Sequence, residues 1–181
     1  MSEFGITVPL DQAMFTAQAG HESSGFTRLV ENFNYSIAGL TGFIRAGRIP
    51  PDQASTLGRK ACEKALPLER QRVIANLAYS KRMGNNGPGD GWNYRGRGLI
   101  QITGLNKYRD CGNGLRTALV AHPDLLAQDT YAARSAAWFF AIKGCLKYSD
   151  DLVRVTQTIN AGQNGICDRR ARFEKAKSVL V

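Results

Sequence analysis

Apolar residues recur at the spacing of an α-helix along most of the chain, whereas the alternating runs typical of strands are rare. Glycines and prolines separate these helical patterns at short intervals. The sequence therefore predicts a mainly helical protein with at most a minor β element. The predicted helices cover residues 10–23, 36–45, 52–64, 67–82, 106–110, 129–143, 151–159 and 168–180.

The segment 129–143 is the best candidate for a central, buried helix. It is rich in alanine and also carries Phe139 and Phe140, so it can pack closely against several neighbours. Trp138, in the same segment, is interpreted as a core residue rather than as a platform for a sugar ring. Gly144 ends the helix.

Two glutamates stand on either side of the first predicted break in the chain. Glu22 closes an apolar helix and is followed by Ser23-Ser24-Gly25, and Glu31 precedes a run rich in aromatic and amide residues. Nine residues of uninterrupted helix would rotate by about 900°, which would turn the two carboxylates to opposite sides. They can converge only if the helix ends after Glu22, and glycine favours such an end.

Two converging carboxylates would suit hydrolysis of a sugar bond. When carboxyl groups lie about 6.5–9.5 Å apart, one can protonate the leaving oxygen while the other activates a water, with inversion at the sugar carbon. Partial burial should keep Glu22 protonated, and polar neighbours should keep Glu31 ionised. Spacing alone leaves open the alternative that both are unrelated, solvated surface acids.

Residues 84–91 contain four glycines, so neither a helix nor a central strand is expected there. The segment is either a linker between domains or an ordered active-site loop, and the aromatic and arginine residues that follow favour the loop. Residues 99–102 are consistent with a short extended segment, which would point Gln101 and Thr103 to one side, where both could hydrogen-bond a sugar. Thr103 could equally be the N-cap of the next helix.

The composition, 43% hydrophobic and 22% charged over 181 residues, is that of a globular protein with one domain over 1–181. No apolar run approaches the length of about 18 residues that a transmembrane helix needs. The N-terminus has no basic region followed by an apolar core, so no secretory signal peptide is predicted. The chain is therefore expected to stay in the cytosol, with reduced cysteines, until something opens the membrane.

The net charge, and the spacing of cysteine and histidine residues that could bind a metal, narrow the range of functions further. Lys and Arg outnumber Asp and Glu by 24 to 15, a formal charge of +9 that favours attraction to nucleic acid, anionic lipid or the anionic bacterial envelope. The densest basic group, within 168–177, is interpreted as a solvated helix face. The four cysteines form no Cys-x-x-Cys pair, and His21-Glu22 lacks the second histidine of a zinc-protease motif. No metal and no other cofactor is expected.

Four motifs in this order resemble glycoside hydrolase family 19, and their spacing looks closest to its bacteriophage endolysins and chitinase-like lysozymes. The resemblance covers essentially the whole chain, and the four motifs together are far more specific than any one of them. They are His21-Glu22-Ser23-x-Gly25-Phe26, Glu31-Asn32-x-Asn34-Tyr35-Ser36, Gly96-Arg97-Gly98-x-Ile100-Gln101-Ile102-Thr103-Gly104, and Asn160-x-Gly162 followed by Asp168-Arg169-Arg170.

The resemblance implies an all-α, lysozyme-like fold in two lobes around a central cleft, and cleavage of β-1,4 bonds between amino sugars with inversion. By position, Glu22 matches the general acid and Glu31 the second, base-like acid. The plant-type chitinases of the family have a longer stretch between the two glutamates. The assignment of Glu31 therefore rests on the motif around it more than on the spacing.

Six further positions are implied to bind substrate or to orient the acids: Tyr35, Arg97, Gln101, Thr103, Asn106 and Asn160. Gln101 and Thr103 match residues that hold substrate or the attacking water, and Asn160 matches an amide that contacts the sugar. Tyr35 and Arg97 are expected to orient the acids. The family often has asparagine where Lys107 stands here, so Asn106, one position earlier, is taken as the corresponding amide.

The sequence is interpreted as a lysozyme-type endolysin that cleaves the glycan strands of bacterial peptidoglycan and lyses the host. It would act as a monomer, without specific nucleic acid or membrane insertion. It would remain in the host cytoplasm until a holin gives it access to the periplasm and cell wall. Three alternatives stay open: a chitinase on the same fold, a non-catalytic wall-binding protein and a basic nucleic-acid-binding protein.

Overall fold

The structure, a computed structural model, describes all 181 residues and confirms the all-α fold. β structure is limited to isolated bridges such as that between Ser36 and Arg59. None of the helices combines the length and the apolar character needed to cross a membrane. The α-helices are α1 (Pro9–Glu22), α2 (Thr41–Arg45), α3 (Pro51–Leu57), α4 (Leu68–Tyr79), α5 (Asp90–Asn93), α6 (Leu105–Leu115), α7 (Asp129–Ile142), α8 (Leu152–Asn160) and α9 (Ile166–Leu180). Short 3₁₀ helices cover Ser2–Phe4, Ala38–Leu40, Pro123–Ala127 and Cys145–Tyr148.

Four of the longer helices lie where the sequence predicts them. Those predicted over 10–23, 129–143, 151–159 and 168–180 are confirmed as α1, α7, α8 and α9. The prediction over 52–64 is wrong beyond Leu57, where α3 ends. The chain continues there in extended form because the Arg59 N–H donates to the Tyr35 carbonyl at 2.9 Å instead of to a helical partner.

The extended segment predicted over 99–102 is wrong. The Gln101 N–H donates to the Gly98 carbonyl at 3.2 Å, and Gln101 has a φ of +53°, so the segment is a turn. The Gln101 side chain donates to the same carbonyl at 2.9 Å. Gln101 and Thr103 are therefore not arranged by strand alternation. Thr103 is not the N-cap either, because α6 begins at Leu105.

Backbone contacts divide the chain into two compact units, and each is described by itself. The first unit comprises residues 1–29, 97–101 and 111–181, and the second comprises 30–96 and 102–110. The glycine-rich segment 84–91 lies within the second unit, so it is not a linker between the two units. Residues 84–89 form a loop, but the prediction that no helix forms here is wrong at Asp90 and Gly91, which begin α5. The loop is held by the buried Asn85, whose amide donates to the Tyr79 carbonyl at 3.2 Å and accepts from the Leu105 N–H at 2.9 Å.

The core of the first unit is built mainly by α1, α7, α8 and α9. α1 packs along α9 because its inner face carries small residues and the fully buried Met14. Phe15 of α1 meets Phe140 of α7 edge-on, with ring centroids 5.7 Å apart. Trp138 is 8% exposed, which confirms it as a core residue. This packing fixes the C-terminal end of α1, where Glu22 stands.

The core of the second unit forms around Phe33, which is fully buried. Its ring lies edge-on to Tyr79 at 5.9 Å and to Tyr35 at 6.1 Å. Phe33 follows Glu31 by two positions, so burial of this ring also fixes the backbone that carries Glu31. The same packing brings the end of α4 close to that backbone.

Candidate active site

The end of α1 at Glu22 is held by the residues that follow it. The Ser23 N–H and hydroxyl both donate to the Ala19 carbonyl, at 3.1 and 2.6 Å. Gly25, at a φ of +75°, donates to the Gly20 carbonyl at 2.7 Å. Glycine adopts this left-handed conformation without a steric penalty, and the bond satisfies a carbonyl at the helix end. The predicted break after Glu22 is therefore confirmed.

The Glu22 carboxylate forms an ion pair with Arg169 of α9. The Arg169 side chain is 1% exposed and that of Glu22 is 26% exposed, so the guanidinium is fixed in the interior while part of the carboxylate faces solvent. The sequence predicts partial burial of Glu22 and does not predict this buried cation beside it.

The guanidinium of Arg169 makes two further hydrogen bonds. One terminal nitrogen donates to Oε1 of Gln18, which lies one turn before Glu22 on α1. Nε donates to the Asn164 carbonyl at 3.2 Å. Three acceptors thus fix the plane of the guanidinium, and this plane in turn orients Glu22.

His21 is held by the first turn of α9. Its Nδ1 lies 2.7 Å from Oδ2 of Asp168, and the same oxygen accepts from Nε of Arg172 at 2.8 Å. The Arg172 and His21 contacts hold the pKa of Asp168 below its usual range. Gly165, at a φ of +74°, lies against the imidazole so closely that a Cβ would overlap the ring. The turn before α9 is therefore packed directly on His21.

Asn160, the last residue of α8, closes this same turn. Its Oδ1 accepts from the Gly162 N–H at 2.9 Å, and its Nδ2 lies 3.4 Å from the Asn164 carbonyl. Because Arg169 donates to that carbonyl as well, Asn160 and Arg169 share one backbone acceptor. Asn160 is half-buried, and its contact with a sugar stays a prediction.

Arg97 and Gln101 also belong to the first unit. Arg97 is 2% exposed and donates to Oδ1 of Asp124 at 2.6 Å. A side chain so deeply buried supports the backbone of its motif and offers almost no surface to a ligand. Gln101 is half-buried and bonds within its own turn, as described above. Both roles assigned to these residues from the sequence stay predictions.

Glu31, in the second unit, is held at both carboxylate oxygens. The Tyr79 hydroxyl donates to Oε1 at 2.7 Å and the Gly96 N–H donates to Oε2 at 3.0 Å. The Glu31 N–H in turn donates to the Gly96 carbonyl at 2.8 Å. Two hydrogen bonds of this kind suit an ionised carboxylate, the form that a base requires.

The Tyr79 hydroxyl stays protonated and can donate to Glu31 at neutral pH. Burial, followed by the charge and hydrogen bond of Glu31, raises the pKa of Tyr79 above its ordinary value, so the phenol keeps its proton at neutral pH. The amides of Asn32 and Asn34, which the sequence suggested as the polar neighbours of Glu31, bond elsewhere. Asn32 accepts from the Asn34 N–H at 2.6 Å, and Asn34 accepts from the Leu66 N–H at 2.9 Å.

The other predicted residues of the second unit are Tyr35, Thr103 and Asn106. Tyr35 is half-buried and packs edge-on against Phe43, with ring centroids 5.4 Å apart. Thr103 is half-buried in the loop before α6. Asn106 is exposed in the first turn of α6, and its backbone N–H donates to the Met83 carbonyl at 3.0 Å. Their contacts with substrate stay predictions.

Sequence reasoning missed the partners of both acids. Arg169 lies 147 positions from Glu22, and Tyr79 lies 48 positions from Glu31. The basic group on α9 was interpreted as a solvated face, but Arg169 is buried. Its place in the fourth motif was the available signal. Tyr79 had no comparable signal, because a tyrosine at a helix end is equally consistent with simple packing.

A cavity in the first unit is not lined by any of the predicted site residues. This cavity, of about 490 Å³, has apolar walls that include Phe26 and Leu180. Arg172 and Lys175 also line it, whereas neither Glu22 nor Glu31 does. No group of three or more His, Cys, Asp or Glu residues is placed to hold a metal ion.

Comparison of the sequence with known proteins identifies one family model and individual relatives. The model of glycoside hydrolase family 19, described as chitinase class I, matches residues 67–173. A glycosyl hydrolase family 19 domain-containing protein of Haemophilus influenzae is 37% identical over 179 residues, which cover 97% of this chain and 82% of that protein. Chitinase 8 of Oryza sativa subsp. japonica is 44% identical over 48 residues, 26% of this chain and 18% of that protein.

The fold is similar to that of a solved bacterial chitinase. Chitinase C of Streptomyces griseus superposes with a TM-score of 0.55 at 17% sequence identity, covering 99% of this chain and 62% of that chain. The chain described here thus spans 62% of the length of that enzyme. At this identity the similarity supports the fold and does not by itself assign residues.

Proposed function

The chain belongs to glycoside hydrolase family 19, and we propose that it is an endolysin that hydrolyses the β-1,4 bonds of bacterial peptidoglycan. Membership of the family makes it a glycoside hydrolase. The observation that carries the proposal is Glu22 in its family motif, at the end of a helix, partly exposed and paired with a buried arginine. An arrangement of this kind presents one carboxylate to a ligand in a fixed orientation.

The proposed chemistry is acid–base catalysis with inversion. Glu22 donates a proton to the oxygen of the leaving sugar, and Glu31, ionised and held by Tyr79 and Gly96, accepts a proton from the attacking water. The proton lost by Glu22 is balanced by the proton gained by Glu31. The product of inversion at a β-linked sugar is the α-anomer, so detection of the β-anomer by NMR as the first product would contradict this scheme.

Peptidoglycan is proposed as the substrate, rather than chitin, for two reasons. The relative that matches almost the whole chain is bacterial, whereas the rice chitinase matches only 26% of it. The net charge of +9 also favours binding to an anionic wall. The alternative, a chitinase, is supported by the similarity to the Streptomyces enzyme. Loss of turbidity of permeabilised bacteria, measured beside release of soluble oligomers from chitin, distinguishes the two.

Substitution of the acids tests the mechanism. Glu22→Gln is expected to reduce turnover by about 10²–10⁴-fold, because a general acid contributes that much, and Glu31→Gln should have a similar effect. Glu69→Gln, at an acid that is 79% exposed on α4, is the matched control and should retain full activity. Full activity of a folded Glu22→Gln protein would refute Glu22 as the acid. Wall binding without turnover in the wild type would instead favour a non-catalytic wall-binding protein.

Delivery to the wall is a separate part of the proposal. An endolysin made in the host cytoplasm should lyse the cell only when a holin opens the inner membrane. Expression of the chain in bacteria with and without a co-expressed holin tests this. Lysis by the chain alone would contradict the need for a holin without affecting the enzymatic assignment.

A further inference from the structure

A row of buried polar side chains connects α8 to Glu22 in the first unit. It runs from Thr156 on α8 through Gln18 on α1 and Arg169 on α9 to the Glu22 carboxylate. Thr156 is fully buried, and Gln18 and Arg169 are each 1% exposed. Polar groups buried to this degree are costly unless they are hydrogen-bonded, so the row depends on every member being paired.

The Gln18 amide is held between a donor and an acceptor. The Arg169 guanidinium can only donate, so it requires the amide oxygen on its side. If the amide were reversed, its N–H groups would oppose the guanidinium. In the orientation that Arg169 selects, Nε2 of Gln18 donates to Oγ1 of Thr156 at 3.0 Å and lies 3.7 Å from the Met14 sulfur. Thr156 thus provides the oxygen acceptor for the buried Nε2 of Gln18.

We propose that Gln18, held between Thr156 and Arg169, is a positioning residue for the hydrolytic reaction. Gln18 holds one terminal nitrogen of Arg169 and thereby directs another towards Glu22. The proposal rests on the proposed function, in which Glu22 is the acid. It explains why a fully polar row is kept in a core that is otherwise packed with alanine, methionine and phenylalanine.

The side chain at position 18 must be uncharged if Arg169 is to hold Glu22. Glu22 is the only carboxylate that forms an ion pair with Arg169. A glutamate at position 18 would present a second carboxylate to the same guanidinium and weaken its hold on Glu22. The charged groups nearest this site are His21 on α1 and Asp168 and Arg172 on α9, and these pair with one another. They do not compensate for a new charge at position 18.

Thr156→Val tests the row with little change in shape, since valine replaces the hydroxyl by a methyl group. Without this acceptor, Nε2 of Gln18 is a buried donor with no oxygen partner, so the side chain is held less firmly against Arg169. We expect kcat on peptidoglycan to fall about 10- to 100-fold with KM little changed. Thr156→Ser, which restores the hydroxyl, should recover most of the activity. Thr158→Val, at a half-buried threonine on the same helix, is the matched control.

Gln18→Glu provides a second, independent test that leaves a hydrogen-bond acceptor for Arg169. It should lower kcat by a similar factor and move the alkaline limb of the activity profile to higher pH, because an added negative charge favours protonated Glu22. A substitution that only loosened the fold would lower the melting temperature without moving that limb. If Thr156→Val unfolds at the assay temperature, this variant decides the question.

The two proposals fail in different ways. If Glu22→Gln is fully active, the assignment of the acid is wrong and the role of Gln18 falls with it. If Glu22→Gln is inactive while Thr156→Val and Gln18→Glu keep wild-type kcat and pH profile, the acid stands and the positioning role of Gln18 is refuted. Loss of kcat in both variants, with recovery in Thr156→Ser, supports the proposal.

Discussion

The Tyr79 hydroxyl can be removed without disturbing the packing of its ring, which makes it a precise probe of Glu31. Tyr79→Phe deletes the 2.7 Å hydrogen bond to Oε1 and leaves the Gly96 N–H on Oε2. The ring can keep its edge-on contact with Phe33. A hydrogen bond to a charged group contributes about 1.5–3 kcal/mol, but water can replace part of it because both residues are half-buried. We expect a loss of about 1 kcal/mol in the free energy of unfolding.

The effect on catalysis should exceed the effect on stability. With a single donor left, the Glu31 carboxylate can rotate away from the position in which it would accept a proton from water. A displacement of about 1 Å in a catalytic group can cost about 100-fold in rate. We therefore expect kcat of Tyr79→Phe to fall about 10- to 100-fold, with KM little changed.

The phenol also makes the wild-type protein sensitive to alkali. The pKa of Tyr79 is raised above its ordinary value of 10.0, first by burial and then by Glu31. Above that pH the unfolded chain releases this proton while the folded protein retains it, so the contribution of Tyr79 to stability is complete below pH 10.0 and declines above it. Phenylalanine cannot titrate. The difference in unfolding free energy between the two proteins should therefore narrow above this pH.

Urea denaturation near neutral pH and again above pH 10, together with turnover on permeabilised cells, measures all three effects. Tyr131→Phe, at a half-buried tyrosine of α7, is the control for loss of a phenol. If Tyr79→Phe matched the wild type in stability and in kcat at every pH, the hydrogen bond would have no part in holding Glu31.

Other contacts give shorter tests. Gly165→Ala would set a Cβ against the His21 ring at a φ of +74° and should lower the free energy of unfolding, measured in urea, by about 1–3 kcal/mol. Gly162→Ala should not, because its Cβ would make only an ordinary contact with Oδ1 of Asn160 at 3.9 Å. Because the pKa of Asp168 is lowered, its ionised carboxylate stabilises the fold above the ordinary pKa of 3.8, and this contribution is lost as the pH falls below it. In Asp168→Asn the free energy of unfolding should therefore fall less steeply at acid pH. An equal acid dependence of the two proteins would contradict this. Binding to isolated cell walls should weaken as salt is raised, and salt-independent binding would exclude a role for the net charge.

The sequence predicted those features that are decided locally. The end of α1 at Glu22 depends on Ser23 and Gly25, which adjoin it, and the core position of Trp138 depends on helical periodicity. The turn at 98–101 was missed because Leu99, Ile100 and Ile102 are equally compatible with a strand and with a turn. The positive φ of Gln101, which decides the matter, is set by its hydrogen bonds to Gly98.

The partners of the two acids required the folded chain. Arg169 reaches Glu22 only when α9 packs on α1, and its burial contradicts what the charge pattern of α9 suggests. Tyr79 meets Glu31 because Phe33 draws both segments to one core. Neither contact is encoded in the spacing of neighbouring residues, so motif reasoning located the acids and not the groups that orient them.

The order in which the first unit is synthesised has a consequence for when the enzyme becomes competent. Glu22 leaves the ribosome 147 residues ahead of Arg169. At about 5–20 residues per second, α1 waits about 7–30 s for the helix that completes its packing. During that interval the nascent chain holds a glutamate without its guanidinium. A growing or prematurely terminated chain should therefore lack an oriented Glu22 and be inactive as a glycoside hydrolase.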